Sequence, residues 1–212
     1  MGRDDEMSSP SWPTNPSSAS KLTTGFPFST GPSDMTYEDL VEQQVPEWDE
    51  AYRLSSLYLE TAPWFFGAVT KRQLLEELLP NWYDGNVKKR IMRSPEFRYQ
   101  PAESTTHGGP HELALLFMIF CFGALTDMTL PPAPDNPVCD KFYEITKMAL
   151  SLEPILERPP SVSTVQTLAL MGIYEGLKSG ENSIEATWTL MGMASKLAQS
   201  VCFHRSTALR RI

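Results

Sequence analysis

Cysteine is scarce in this sequence, and what there is of it has no metal-ligand spacing. Cys121, Cys139 and Cys202 are the three present, and they lie too far apart to form a C-x-x-C pair. An odd count behind an opening, MGRDDEMSSP, that lacks the apolar core of a secretory signal points to reduced, mostly buried thiols inside a cell. Long hydrophobic runs are missing too. The longest, Leu113 to Leu125, has 13 residues, short of the ~20 that a membrane span needs, and reads as a buried helix. There is no phosphate-binding glycine loop, nucleophile elbow or dinucleotide fingerprint. Histidine occurs three times. His107 and His111 would share a helix face, but Gly108-Gly109-Pro110 interrupts any helix between them and no third ligand is near. Loop histidines flanking a helix start are the ordinary reading. His204, two residues after Cys202, makes too common a pairing to be a ligand set. Asp4-Asp5-Glu6 falls in a stretch without the rigidity a magnesium site needs. These absences leave no catalytic, cofactor-binding or metal residue to assign, and the chain reads as a non-enzyme.

Enough is present for a core: 212 residues, 41% hydrophobic and 10% aromatic. The 18 Lys and Arg against 26 Asp and Glu give a net charge of −8. An acidic chain repels phosphate backbones, so nucleic-acid binding would need a local basic patch. Two stretches are basic. VKKRIMRSPEFR carries five bases and one acid, as a nuclear-import signal or a solvated helix face would. After Glu185 there is no acid, while Lys196, Arg205, Arg210 and Arg211 give +4; cations near a helix C-terminus are also ordinary partners of its dipole. Residues 1–35 hold 20 Ser, Thr, Pro or Gly, too little apolar surface to offset ordering entropy, which predicts a disordered arm. Trp12, Phe26 and Phe28 within it are partner-binding stickers or, more commonly, stray linker aromatics.

From Thr36 the chain becomes acidic, and the carboxylates at 38–50 read as a solvated face. Helical periodicity then predicts a helix from Trp48 with Ala51, Leu54, Leu57 and Tyr58 on one face, ended by Ala62-Pro63. A second, Thr70 to Leu79, is stopped by Pro80-Asn81, and Asp84-Gly85 is a turn. A third, 110–127, begins with Pro110 at its first position and is apolar on nearly every side, which places it centrally in a bundle. PPAPDNP breaks the chain before a fourth helix from Asn136-Pro137, with Val138, Phe142, Ile145, Ala149 and Leu152 as its stripe. After Pro159-Pro160 a fifth starts, capped by Ser163 with Gln166 or by Ser161; it carries Val165, Leu168, Ala169 and Tyr174 and ends at Ser179-Gly180. Asn182 with Glu185 caps a sixth, whose stripe is Ile184, Trp188, Met191, Ser195, Ala198 and Val201 or Cys202. No useful β-alternation occurs. The expected fold is all-α, an antiparallel bundle of about six helices behind the arm.

Gly192 inside that sixth helix costs about 1 kcal/mol relative to Ala. With Ala194, Ser195 and Ala198 it forms a small-residue surface that another helix can approach, beside the large Trp188. Here the text also becomes recognisable. TVQTL from Thr164 to Leu168, and ATWTLMGMASKLAQSVCFHRS from Ala186 to Ser206, resemble the middle homology region, or fungal-specific transcription factor domain, of fungal zinc-cluster regulators. Gln166, Trp188, Gly192, Ala194, Leu197, Ala198, His204 and Arg205 fall on its motif in order and spacing. YLETAPWFFGAVTKRQLLEELLP is similar to its beginning, so the resemblance covers 48–205, most strongly after 110. It implies a regulatory helical domain of a nuclear factor acting on RNA polymerase II transcription, with protein partners or self-association through helical surfaces. The six-cysteine cluster through which intact members hold zinc and DNA is absent from this sequence, so neither function carries over to these residues. Ser206 stands where the family favours Asp. The chain ends at STALRRI where such domains continue, which implies a fragment incomplete at its C-terminus, with 206–212 a truncated tail. The competing reading is a helical interaction scaffold unrelated to transcription, but the helices do not repeat at a fixed period.

Overall fold

Thr36 opens the first described helix by closing a reciprocal cap. Its Oγ1 accepts from the Asp39 N–H (3.2 Å) while the Asp39 carboxylate accepts from the Thr36 N–H (3.0 Å), satisfying two donors that a helix start leaves open. The short helix α1, Tyr37–Gln44, follows, anchored by the fully buried Leu40. The computed structural model describes residues 36–83, 108–155, 160–178 and 183–209, with main chain alone at 63–66 and 203–209. The expected disordered arm, the basic stretch VKKRIMRSPEFR, the Asp84-Gly85 turn, the Ser179-Gly180 stop, His107, the Asn182 cap, Arg210 and Arg211 lie outside the described residues. Among the described residues every regular element is helical, and the fold is all-α.

Helix α2, Trp48–Phe66, buries Ala51, Leu54 and Tyr58 as its spacing requires. It does not stop at Ala62-Pro63. A proline this near the end removes a single main-chain donor with less than a turn remaining, so termination is not forced. Beyond it the Tyr58 hydroxyl accepts the Val69 N–H (3.2 Å). The next segment also departs from expectation. Gln73–Leu78 is π-helical, with the Leu79 N–H reaching back five residues to the Leu74 carbonyl (2.9 Å). Pro80 does not end it: Tyr83 N–H bonds the Leu79 carbonyl (2.9 Å). The wider turn lets the chain pass Pro80, whose ring would meet the carbonyl four residues back in a regular α-helix.

Helix α3, Pro110–Leu125, is the centre. Every side chain from Leu113 to Ala124 is buried, as an all-round apolar helix demands. Helices α2, α4 (Pro137–Leu152) and α5 (Val162–Lys178) pack on it. Asn136 caps α4, its Oδ1 accepting from Val138 and Cys139 N–H (both 3.1 Å) and its amide donating to the Ala124 carbonyl (3.1 Å). That one side chain sets the α3–α4 turn. Below it Cys121 and Cys139 each donate S–H to the other's carbonyl (3.4 Å), and Phe117 and Phe120 meet Phe142, so the two helices run antiparallel.

The α5 start resolves the two alternative caps. Ser161 Oγ accepts the Thr164 N–H (3.1 Å) and Thr164 Oγ1 accepts the Ser161 N–H (3.2 Å); Ser163 and Gln166 do not form the box. Helix α6, Ser183–Leu209, packs against α5. The contact is antiparallel: Gly172 lies against Leu190 and Met191, and Gly176 against Thr187. No described helix is long and apolar enough to cross a membrane.

Candidate functional site

The motif residues divide between two helices with different tasks. Gln166 on α5 is held by three hydrogen bonds from two partners. Its amide exchanges two hydrogen bonds with Gln73 (2.8 and 2.9 Å) and donates to the Ala68 carbonyl (2.7 Å). One side chain therefore fastens the π-helical segment and the chain leading into it onto α5. An amide supplies donor and acceptor at once, which a capping role would have used on local backbone instead.

On α6 the motif faces two ways. Ala194 and Leu190 are buried against α5, with Leu197 and Ala198 half-buried. The expected stripe is split: Met191 lies against Gly172 of α5 and Ala198 and Val201 are half-buried, while its other residues point outward. Ile184 is 67% exposed, Trp188 75% exposed, and Ser195 and Cys202 lie open. Small residues are what decides the docking, but they lie on α5. Gly172 and Gly176 let α6 come close, and the Thr187 hydroxyl donates to the Gly172 carbonyl (3.1 Å). Ser183, Leu190 and Ala194 fit that groove, and this turns Trp188 and Gly192 to the far side. His204 and Arg205 fall within α6, their side chains outside the described residues.

His111 is not a loop residue. It sits in the first turn of α3, buried, with Nδ1 against Thr164 Oγ1 (2.7 Å) and Nε2 against the Glu153 carbonyl (2.8 Å). A carbonyl only accepts, so Nε2 carries the proton and Nδ1 accepts from the threonine. Both nitrogens are used in tying α3 to the end of α4 and the start of α5. The thiols of Cys121 and Cys139 are buried and spent on carbonyls. No group of three His, Cys, Asp or Glu among the described residues fits a metal ion. The zinc that the resemblance implies for intact regulators therefore has no fitting donor set among the described residues.

Two polar clusters remain. Asp127, just past α3, pairs with Arg53 of α2 and accepts the Thr129 N–H (2.9 Å) and hydroxyl (2.7 Å). The guanidinium first, then these donors, pull its carboxyl down to about 2. Asp140 on α4 receives Lys178 (2.9 Å) and the Tyr174 hydroxyl (3.2 Å) from α5. A cleft of about 360 Å³ lies between the α1–α2 turn and Asn81–Tyr83. Its ionisable lining is Glu47 and Tyr83. Tyr83 donates to the Pro46 carbonyl, and burial, with the Glu47 charge second, pushes its hydroxyl well up. Neither group has a partner arranged for acid–base or nucleophilic work.

Residues 75–211, well over half of the chain, match the family described as the fungal specific transcription factor domain. The chain belongs to that family. Within it, the chain is similar to sorbicillinoid biosynthetic cluster transcription factor 2 of Penicillium rubens, 30% identical over 92 residues. That stretch is 43% of this chain and 13% of the relative, so the chain spans far less than the relative's length. No solved structure matches.

Proposed function

We propose that this chain supplies the protein-contacting, regulatory part of a nuclear transcription factor acting on RNA polymerase II transcription, and that it needs no cofactor of its own. The family match over 75–211 carries the reading. In support, His111, Cys121 and Cys139 are engaged in holding helices together, and a chain of net charge −8 is repelled by a phosphate backbone. DNA and zinc binding then fall to a cluster outside these residues. The test joins the chain to a heterologous DNA-binding domain in a fungal host carrying the matching reporter. A nuclear fusion that shifts reporter transcription, with no stoichiometric zinc in the purified chain, is the expected result. A cytoplasmic fusion that leaves transcription unchanged, or one tightly held zinc per chain, would overturn the proposal.

A further inference from the structure

The outward face of α6 holds a large knob and an unfilled hole one turn apart. Trp188 is 75% exposed, and a Cβ built on Gly192 would meet nothing within 4 Å. A glycine in mid-helix is disfavoured relative to alanine, and nothing among the described residues uses the space it leaves. Leu190, midway between the two, points to the buried side.

We infer that this face binds a second copy of the chain, the two α6 helices packing antiparallel about a two-fold axis level with residue 190. A two-fold contact must be self-complementary. In this register Trp188 of each copy stands over Gly192 of the other. The flanks agree. Glu185 and Lys196, both exposed, are the charged residues of α6 from Ser183 to Cys202. They are 11 positions apart, about three turns, and so lie on one flank. The two-fold brings each Glu185 beside Lys196 of the other copy. On the opposite flank Ile184, 67% exposed, meets the small, exposed Ser195. The contact, from Ile184 to Lys196, runs about 18 Å along the helix, well short of what the ~800 Å² per partner of a standard interface needs. The dimer is therefore weak and concentration-dependent.

The inference deepens the protein-contact part of the proposed function, and it is read from association in solution, independently of any reporter. Sedimentation velocity of the purified chain from low to high micromolar should show monomer passing to dimer and no further. Trp188→Ala, a change at an exposed position, should keep the helical circular dichroism and raise Kd roughly tenfold or more. Gly192→Leu should do the same by filling the hole. Glu185→Lys and Lys196→Glu should each weaken association, and the double reversal should restore it. A chain monomeric throughout, including one that uses this face for a different protein, would overturn the inference. So would association that survives Trp188→Ala, oligomers larger than a dimer, or a double reversal no better than its singles.

Discussion

Asp127 shows how much a single side chain holds. Its carboxylate ties α2 to the end of α3 through Arg53 and closes the following turn through Thr129. Those donors stabilise the charged form, holding the group at about 2 against an ordinary value of about 3.9. A carboxyl depressed in this way contributes stability that is fully present above its unfolded value and is lost as pH falls through about 2. Arg53 is 44% exposed, so solvent screens part of the gain and added salt should reduce it. Asp127→Asn is expected to lower the urea midpoint at pH 7, to close about half of that gap by pH 3 and most of it by about pH 2. A gap that stays constant from pH 7 to pH 3 would show that the carboxylate charge contributes nothing. His111 works at the same scale without charge as its means, joining three helix ends through two hydrogen bonds. Its type was visible in the sequence, but its role was not, because Thr164 and the Glu153 carbonyl are brought to it only by the packing of three helices.

Among the elements, α3 was the most legible: a helix apolar on all sides has only one place to go, and it occupies that place. The α4 start was legible for a local reason, since Asn136-Pro137 pairs a capping amide with a residue needing no donor. Helix α1 carried its own signal in Thr36 and Asp39, but with one fully buried residue it offers no periodicity to read. The π-helical turn could not be read because it uses the same residue types as an α-helix. Helix α6 was legible only in part. It has two apolar stripes, and periodicity cannot say which one a neighbour takes; Gly172 and Gly176 on α5 made that choice. Helix spacing is likewise decided by glycine where α3 crosses α2. A Cβ on Gly123 would stand 2.2 Å from the Leu54 carbonyl oxygen and 2.9 Å from its Cα, and backbone cannot step aside as a side chain can. Gly123→Ala should therefore destabilise the bundle by about 1–3 kcal/mol, outweighing the ~1 kcal/mol gained in helix propensity. Urea unfolding followed by circular dichroism checks the sign. A variant as stable as the parent would mean the two helices can separate at no cost.

Across the whole molecule, stability should fall from the centre to α6. Helix α3 is surrounded by α2, α4 and α5, whereas α6 has its large contact with α5 alone and turns Ile184 and Trp188 outward. Local opening is cheapest where few buried contacts are lost. Detaching α6 exposes Leu190 and Ala194 and breaks the Thr187–Gly172 hydrogen bond, while the α3–α4 pair can stay closed around the Cys121 and Cys139 contacts. Hydrogen exchange followed by mass spectrometry should accordingly show α6 peptides exchanging through a lower-energy opening than α3 peptides, which wait for global unfolding. The two effects on α6 can be separated by concentration. Dilute chain should show the difference in full, and raising the concentration should slow exchange in α6 while leaving α3 unchanged, because a second copy covers only the α6 face. Equal protection of α3 and α6 at low concentration would mean that the α5–α6 contact is as strong as the centre. Protection that rises with concentration in α3 as well would place the association on some other surface of the bundle.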